Sequence, residues 1–442
     1  MEVPSEYSEA LKWMYALGKR GICPGLERMR LLCSMCGNPE RKLQVIHVAG
    51  TNGKGSTSAM IESIARQHGL RTGLYTSPHL HSLTERIRIN GQTISREELC
   101  ARIAALRRML EQKSDLACSF FEAMTLVAFE SFADHDLDLV VLEVGLGGRL
   151  DATNVIERPL ACAIAHIDLD HTDRLGPDIV SIAREKAGII KKGVPVVHAA
   201  DAPEDQRGTT ARDVIDAYAL SHNAPSFALD REIQVKEEAE GLRINFGNFE
   251  CVGITLGLQG SHQARNAALA AAAFKLGMEA LGRPVVCASV RKGLRDVVWP
   301  GRLETISTHG SNGVNVLLDA AHNPDGARSL RAYLDTISAP SGKRILLFGA
   351  MADKDWRTML EILHLCFDHI VCTQAPLARS ESAFSLATFV NGIAEADIIK
   401  AFEKAKGFAG PSGEVVVTGS IFVVAKVRAW LLGIEEDPPI AL

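Results

Sequence analysis

The sequence lacks several features that would place a protein in a special class. No uninterrupted apolar run in its 442 residues is as long as a membrane span, so we expect no membrane partner. The formal net charge is only −5, with both signs mixed along the chain, which argues against nucleic acid as the main partner. Residues 1–6 contain no basic segment followed by an apolar one, so we expect a cytoplasmic protein.

The ten cysteines give no sign of a disulfide framework or a zinc site. They lie mostly within apolar segments, as free buried thiols do in a reducing compartment. Cys33 and Cys36 form a C-x-x-C pair, but no second pair of Cys or His stands at zinc-finger spacing. We therefore expect neither a metal nor a redox role for this pair.

The composition is typical of a soluble globular protein. Hydrophobic residues make up 47% of the chain and charged residues 23%. At 442 residues the chain is long enough for two or three domains.

The most informative segment is a Gly-rich loop at residues 50–57. An apolar run of strand length, VIHVA, breaks into GTNGKGST, and a helical pattern follows. Glycines let backbone N–H groups surround a phosphate, and the helix N-terminus adds the positive end of its dipole. Lys54 would reach the outer phosphates, and Ser56 or Thr57 would offer a hydroxyl to Mg²⁺. The loop is shorter than the usual P-loop, but the order of its parts favours a phosphate site over an ordinary turn.

Strand and helix patterns alternate through the first part of the chain. Strand candidates lie at 44–49, 70–76, 139–144, 160–168 and 194–199, and helical patterns lie at 96–112, 120–135 and 178–191. This alternation predicts a mainly parallel sheet covered by helices. Short alternating runs in residues 231–256 indicate a small antiparallel appendage, and an Ala-rich helix follows at about 262–276.

A second series of strands and helices begins after Trp-Pro-Gly at residues 299–301. Its strand candidates are 314–318, 344–348, 370–373 and 415–418, and its helices fit at 325–336, 355–365, 384–391 and 421–432. We predict an α/β protein with two domains. The first, residues 1–298, is a P-loop-type mainly parallel sheet domain with the antiparallel appendage. The second, residues 299–442, is Rossmann-like.

Polar side chains stand at the ends of several predicted strands. Glu143 ends one apolar strand, Ser77 ends another, and His171 comes soon after a third. A buried carboxylate is costly unless a cation balances it, although Glu143 could also reach water. His171 could hold a metal or a phosphate, or be structural, and Ser77 could simply begin a Ser-Pro turn. Open α/β sheets bind ligands in a crevice at the carboxyl ends of their strands. We therefore expect Ser77, Glu143 and His171 to line one such crevice.

The second series repeats this arrangement. Asp319 and His322 follow one predicted strand, and residues 353–355 and 418–420 follow two others. These strand ends suggest a second set of binding residues, in the second domain. We expect this set to close over a nucleotide that the first domain holds. By contrast, residues 85–91 (ERIRING) look like an exposed basic strand with a turn.

Taken together, these segments resemble the Mur ligase superfamily and, within it, the folylpolyglutamate synthase/dihydrofolate synthase family. The resemblance rests on the order and spacing of HVAGTNGKGST (47–57), TSPHL (76–80), ERIRING (85–91), VLEVGLGGRLDATN (141–154), DHTDRLG (170–176), EKAGIIK (185–191), GSHQARNA (260–267), PGRLE (300–304), LDAAHNP (318–324), DKD (353–355) and VTGS (418–420). It implies an enzyme in which ATP phosphorylates the carboxylate of a pteroate or folate. The amino group of L-glutamate then attacks the acyl phosphate, giving an amide, ADP and phosphate.

The resemblance also implies roles for particular residues, with ATP and Mg²⁺ as cofactors. The ATP-binding residues would be Gly50, Thr51, Asn52, Gly53, Lys54, Gly55, Ser56, Thr57, Asn266, Arg302, Asp319 and His322. Ser56 would assist one magnesium ion, and Ser77, Glu143 and His171 would hold a second near the γ-phosphate. Lys186 matches a lysine that carries a carbamate, and it would act in catalysis with Lys54 and His171. The pteroate or folate would contact Asp151 and the segment that contains Gly25, Leu26 and Arg28.

Rival classes fit the sequence less well. A cell-wall Mur ligase normally has a UDP-binding domain before the phosphate loop, whereas only residues 1–49 stand there in this sequence. A P-loop kinase or a nucleotide switch would not need the second set of polar strand ends. A binding protein without activity would not require Ser77, Glu143 and His171 at neighbouring strand ends. We expect a monomer, and the sequence leaves open whether one or both of the family's activities are present.

Overall fold

The computed structural model describes residues 5–18, 25–112, 116–200, 210–307 and 313–438. It contains an eight-stranded sheet, a three-stranded sheet and a six-stranded sheet, all covered by helices. The predicted mixed α/β fold with mainly parallel sheets is confirmed. Within the described residues, no helix combines the length and the apolar character that crossing a membrane requires.

The first sheet has the strand order β4-β3-β2-β5-β1-β6-β7-β8. Its strands are β1 (Val45–Ala49), β2 (Thr72–Tyr75), β3 (Ile87–Ile89), β4 (Gln92–Thr93), β5 (Leu139–Glu143), β6 (Ala161–Ile164), β7 (Val196–His198) and β8 (Ser226–Ala228). All pairings are parallel except those of β3 and β4, which form an antiparallel edge. Strand β1 lies between β5 and β6, so the chain segments that follow these three strands emerge side by side.

Helices pack on both faces of this sheet. They are α1 (Ser5–Gly18), α2 (Glu27–Met35), α3 (Lys54–Gln67), α4 (Arg96–Glu111), α5 (Phe120–Asp134), α6 (Thr172–Leu175), α7 (Ile179–Ala187) and α8 (Ala211–Ser221). Strand β1 is buried along its whole length, as the near-continuous apolar run predicts for a central parallel strand. Two large apolar clusters, one on each face, hold the sheet between its helices.

The predicted antiparallel appendage is a three-stranded sheet of β9 (Ile233–Glu238), β10 (Gly241–Phe246) and β11 (Phe249–Ile254). Helices α9 (Ser261–Ala280) and α10 (Cys287–Asp296) follow it. Helix α9 is rich in alanine, and most of it is buried in the same apolar cluster as α3. Small side chains let two helices approach closely, so α9 helps to fix the helix that follows the phosphate loop.

The second mainly parallel sheet has the order β12-β13-β17-β14-β15-β16. Its strands are β12 (Glu304–Ser307), β13 (Asn315–Leu318), β14 (Arg344–Phe348), β15 (His369–Cys372), β16 (Ile393–Ala394) and β17 (Glu414–Thr418). Its helices are α11 (Pro324–Thr336), α12 (Trp356–Leu363), α13 (Ala383–Val390), α14 (Ile398–Ala409) and α15 (Ile421–Leu432). The domain division between residues 298 and 299 stays a prediction. It falls between the end of α10 and the start of β12.

The structure corrects three local expectations. Residues 85–91 contain the predicted strand, β3, and the predicted turn, but the strand is not exposed, and the segment begins in a 3-10 helix (Leu83–Arg86) whose Arg86 is buried. The strand predicted at 160–168 ends at Ile164, and the helix predicted at 178–191 ends at Ala187. The cysteines among the described residues are free thiols, as expected.

Candidate active site

The Gly-rich loop joins β1 to α3, and two neighbouring contacts fix its shape. The backbone N–H of Thr51 donates to the carbonyl oxygen of His166 at 2.7 Å, and the Thr51 hydroxyl donates to the carbonyl oxygen of Asp168 at 2.9 Å. Gly53 has a φ of 82°, and a Cβ there would lie 2.5 Å from the side-chain oxygen of Asn266. Only glycine fits both conditions. The loop therefore presents the N-terminus of α3 to the crevice.

Two lysine side chains converge on the start of this loop. The Nζ of Lys54 donates to the carbonyl oxygens of Gly50 and Thr51, at 3.1 and 2.9 Å. The Nζ of Lys186, from α7, donates to the same Gly50 oxygen at 2.8 Å. Burial, helped by the charge of Lys54, lowers the pKa of Lys186 to about 7. Lys186 thus has a substantial neutral fraction near pH 7, which an ordinary lysine does not.

Glu143 ends β5 beside the loop and is 4% exposed. One of its carboxylate oxygens accepts a hydrogen bond from the backbone N–H of Ser77 at 3.1 Å, so Glu143 and Ser77 are neighbours, as predicted from the strand ends. Burial raises the pKa of Glu143 to about 7, although Lys54 opposes the shift. A buried carboxylate of this kind is suited to a cation.

His171 follows β6 in the left-handed conformation, with φ 49°, immediately before α6. Its Nε2 lies 3.3 Å from the Nζ of Lys354, a residue of the second sheet's loops. Burial and the nearby Lys354 charge lower the pKa of His171 to about 4. The imidazole is therefore neutral at physiological pH, which is the form that binds metals.

Asp170 connects the two mainly parallel sheets. Its carboxylate forms an ion pair with Lys354 at 2.5 Å, accepts a hydrogen bond from the Asn323 side chain at 3.1 Å, and lies 3.6 Å from His322 Nε2. Burial alone would raise the pKa of Asp170, but His322 and Lys354 outweigh it and hold that pKa far below its usual range. Asp170 and Lys354 belong to motifs noted in the sequence, yet neither was predicted as a site residue.

The nucleotide-side residues predicted from the second half lie around the same opening. Asn266 donates to Gln263 at 2.9 Å, and Gln263 lies 3.4 Å from the Ser56 hydroxyl. The Asp319 carboxylate accepts backbone N–H bonds from Leu303 at 3.0 Å and Ala321 at 3.1 Å. Burial raises the pKa of Asp319. These contacts give Asn266 and Asp319 fixed orientations.

One cavity of about 210 Å³ collects most of the predicted site. Its lining includes the predicted residues Gly50, Thr51, Asn52, Gly53, Lys54, Gly55, Ser56, Ser77, Glu143, His171, Lys186, Asn266, Arg302, Asp319 and His322. Thr57 is instead fully buried behind the loop, and its hydroxyl has no hydrogen-bond partner. The cavity thus brings together residues from both mainly parallel sheets.

The four predicted folate-side residues lie on neighbouring elements away from this cavity lining. Asp151 is 7% exposed, and its carboxylate accepts four hydrogen bonds, from the N–H groups of Gly145, Leu146 and Thr153 and from the Thr153 hydroxyl. It therefore organises its own loop. Arg28 pairs with Glu122 of α5 at 3.1 Å. Leu26 packs in the apolar cluster that includes Ala152, next to Asp151, and Gly25 lies just before it.

The donors fit the two predicted magnesium ions, one assisted by Ser56 and a second held by Ser77, Glu143 and His171. Ser56, Ser77, Glu143 and His171 line one cavity and offer two hydroxyls, a buried carboxylate and a neutral imidazole. Mg²⁺ prefers oxygen ligands and keeps part of its water shell, so a few protein donors suffice. Mg²⁺ would also place a positive charge next to the buried Glu143 carboxylate and so offset the cost of burying it.

Two protein-family models match the chain. Residues 48–274 match the Mur ligase middle domain, and residues 301–421 match the Mur ligase glutamate ligase domain. The Bacillus subtilis dihydrofolate synthase/folylpolyglutamate synthase is 37% identical, with 96% of this chain and 99% of that protein covered. The Escherichia coli protein of the same name is 32% identical, with 96% of each chain covered.

Solved structures give the same result. An Escherichia coli FolC structure in complex with DHPP and ADP has a TM-score of 0.85 at 31% identity, covering 98% of this chain and 99% of that one. A bifunctional folylpolyglutamate synthase/dihydrofolate synthase with Mn, AMPPNP and L-glutamate bound has a TM-score of 0.84 at 32% identity, covering 98% of this chain and all of that one.

Proposed function

Because this chain belongs to the folylpolyglutamate synthase/dihydrofolate synthase family of Mur ligases, it is an ATP-dependent ligase, and we propose that it joins L-glutamate to dihydropteroate, to tetrahydrofolate or to both. The products are dihydrofolate or folylpolyglutamates, with ADP and phosphate. One observation carries the proposal: the cavity gathers the Gly-rich loop, two lysines and the strand-end Glu143 and His171, and residues of the second sheet's loops face them.

The nucleotide lies with its phosphates on the Gly-rich loop. Backbone N–H groups at the start of α3 and the Lys54 ammonium bind the β- and γ-phosphates. Lys54 is well placed because its Nζ already lies within 3.1 Å of two loop carbonyl oxygens. Asn266, Arg302, Asp319 and His322 hold the rest of the nucleotide, and all four line the cavity.

Ser56 would assist one magnesium ion, and Ser77, Glu143 and His171 would hold a second. When bound, Mg²⁺ neutralises phosphate charge and favours transfer of the γ-phosphoryl group to the carboxylate of the acceptor. Activation is needed because a free carboxylate does not react readily with an amine, whereas an acyl phosphate has a good leaving group. Positioning of the acceptor carboxylate, the γ-phosphate and the glutamate amine next to one another supplies much of the rate enhancement.

Lys186 carries a carbamate in the active enzyme. Its side chain is 3% exposed and its pKa of about 7 leaves a neutral amine available for CO₂. The anionic carbamate would lie beside the loop, because the Nζ is 2.8 Å from the carbonyl oxygen of Gly50. Carbamylation would replace the positive charge of Lys186 by a negative one. The carbamate could then act as a carboxylate beside the magnesium ions.

The pteroate part of the acceptor lies near Gly25, Leu26, Arg28 and Asp151. Support comes from the resemblance and from the packing of Leu26 in the cluster that includes Ala152, beside Asp151. The Asp151 carboxylate accepts hydrogen bonds from its own loop, so Asp151 fixes the shape of the loop that borders the pterin. It would do so in addition to contacting the pterin directly.

Three further proposals concern the whole protein. We place the domain boundary at residues 298/299, in the connection between α10 and β12. We propose that the protein is a monomer. We propose a cytoplasmic location, which the free cysteines of the described residues support.

The decisive experiment measures ADP release by the purified protein with Mg²⁺ and bicarbonate. Dihydropteroate and tetrahydrofolate are offered separately, each with and without L-glutamate. We expect turnover that requires both the pteroate or folate compound and glutamate. No ADP release with either acceptor would contradict the proposal. Turnover with a UDP-linked muropeptide or an alcohol acceptor instead would favour a cell-wall ligase or a kinase.

A further inference from the structure

Arg86, in the ERIRING motif, is not among the residues that line the cavity. It ends the 3-10 helix Leu83–Arg86, and its carbonyl oxygen accepts the backbone N–H of Thr76 at 3.1 Å. Arg86 therefore lies beside the end of β2, one residue from the predicted metal ligand Ser77. Its side chain is only 1% exposed and is among the largest that are fully buried.

The guanidinium of Arg86 is incompletely paired. Its Nε donates to His79 at 2.9 Å, but neither terminal nitrogen has a hydrogen-bond partner. The group lies over the ring of Phe120, 5.1 Å from the centroid. Leaving buried donors of a charged group without acceptors is costly, and a native structure keeps such a group for a reason.

A second unpaired polar atom lies in the same place. The hydroxyl of Tyr15, on α1, is buried without a partner, and its ring packs on Phe120 at a centroid distance of 6.1 Å. Arg86 and Tyr15 thus contact the same aromatic ring with free donors. Two polar groups without hydrogen-bond partners, both against the ring of Phe120, indicate a place for an acceptor group, and the positive guanidinium selects an anion.

The position of Phe120 connects this place to the proposed acceptor path. Phe120 opens α5, whose next residues are Phe121 and Glu122. Phe121 packs directly against Gly145, which lines the cavity, and Glu122 pairs with Arg28 on the proposed folate side. Arg86 therefore lies between the folate-side residues and the strand ends of Ser77 and Glu143.

We propose that Arg86 and the Tyr15 hydroxyl form a subsite for the α-carboxylate of the terminal glutamate of a folate acceptor. The inference rests on the proposed function and extends it. A folate acceptor presents two carboxylates, the γ-carboxylate that is activated and the α-carboxylate that must be held. Dihydropteroate presents only the carboxylate that reacts. A guanidinium binds a carboxylate through two parallel N–H bonds, so Arg86 serves the addition of later glutamates and not the first.

The burial of Arg86 gives the subsite a further property. Because the side chain is 1% exposed, the α-carboxylate reaches it by displacing neighbouring side chains at the crevice end of α5. Binding then removes the cost of two unpaired donors that the free enzyme carries, which favours the folate with a free α-carboxylate over close analogues without one.

The test compares three acceptors with wild type and with Arg86→Gln. For wild type we expect kcat/KM to fall roughly 10- to 100-fold when the α-carboxylate of tetrahydrofolate is replaced by a carboxamide, the factor that a hydrogen bond to a charged group supplies. For Arg86→Gln we expect tetrahydrofolate to lose a similar factor, the carboxamide analogue to change little, and dihydropteroate to stay within about 3-fold. Arg71→Gln, an exposed arginine just before β2, is the matched control.

Stability separates this role from a structural one. Removing a buried guanidinium whose two terminal nitrogens have no hydrogen-bond partner relieves their desolvation cost, so we expect Arg86→Met to leave the Tm close to that of wild type. A marked fall in Tm, with equal losses for dihydropteroate and tetrahydrofolate, would overturn the subsite. Equal use of tetrahydrofolate and its carboxamide by wild type would also overturn it, and that result needs no variant.

The two proposals fail in different ways. A wild-type protein that releases no ADP with any pteroate or folate contradicts the proposed function. A wild-type protein that converts dihydropteroate but never extends tetrahydrofolate leaves the ligase function intact and refutes the α-carboxylate subsite alone.

Discussion

At the scale of single residues, Lys54 bears most directly on catalysis. It is the first residue of α3, and its Nζ lies at the loop that receives phosphate. We expect Lys54→Ala to lower kcat by about 10²–10³, because a cation aimed at the transferring phosphoryl group is lost. The measurement is ADP release, with circular dichroism as the check on folding. Lys192→Ala, at an exposed lysine in the turn between α7 and β7, serves as the control and should keep normal turnover.

Lys186 gives a pH prediction. Burial lowers its pKa from 10.5 to about 7, so the neutral amine that reacts with CO₂ becomes abundant as pH rises through 7 and not only near 10. We expect carbamylation, read by ¹³C NMR with labelled bicarbonate, to increase between about pH 6 and pH 8. Activity should fall when CO₂ is removed.

The matched variant for that prediction is Lys186→Ala. We expect severe loss of activity, with partial recovery on adding a short carboxylic acid that replaces the missing carbamate. An unmodified Lys186 in a nucleotide-bound crystal grown with bicarbonate would contradict the assignment.

Sequence reasoning found the residues whose position follows from one strand and one turn. Glu143, Ser77 and His171 were predicted from strand ends, and the structure brings all three to one cavity. It missed Lys354 and Arg86, because their importance depends on contacts with elements far along the chain. A lysine in DKD and an arginine in ERIRING look like solvent-exposed charges until the packing around them is known.

At the scale of elements, the contact of α10 with α3 supports the phosphate loop. A Cβ at Gly293 of α10 would lie 2.5 Å from the backbone Cα of Ile64 in α3, and neither backbone can give way easily. We expect Gly293→Ala to destabilise the protein by about 1–3 kcal/mol and to weaken nucleotide binding, because α3 must shift. Denaturant midpoints and nucleotide titrations measure both effects.

Gly407 of α14 is the matched control for that substitution. A Cβ there would meet nothing within 4 Å, and the residue is exposed. Gly407→Ala should therefore stabilise the helix by about 0.5–1 kcal/mol, because alanine loses less backbone entropy on folding. If both substitutions destabilised the protein, the close packing at Gly293 would not be the cause of the stability loss in Gly293→Ala.

The order of strands and helices was largely predictable because hydrophobic periodicity is a local signal. The strand at 139–144 and the helix at 120–135 appear within a residue or two of their predicted bounds. No strand or helix was predicted in residues 201–230, although α8 and β8 lie in the described part of that stretch. Their marginal sequence signal is reinforced by packing on α7 and β7, which a local pattern cannot reveal.

At the scale of the whole molecule, Asp170 and Lys354 couple the two mainly parallel sheets. Both side chains are at most 10% exposed, so solvent screens their attraction weakly. We expect Asp170→Asn and Lys354→Met each to lower the Tm, since each leaves a buried partner charge unpaired. The double variant should lose less than the sum of the two, because the second substitution removes that unpaired charge. Additive losses in thermal unfolding would mean that the ion pair contributes no coupling.

The carbonyl oxygen of Gly50 accepts hydrogen bonds from both Lys54 and Lys186, which has a consequence for handling the protein. When Lys186 is unmodified, two amino groups at one oxygen make the loop attractive to small multivalent anions in the buffer. Phosphate or sulfate should raise the Tm as their concentration exceeds the dissociation constant, and should raise the apparent KM for ATP by competition. Both effects would be measured by comparing the protein in HEPES, which contains no phosphate or sulfate, with the protein in phosphate buffer at equal ionic strength.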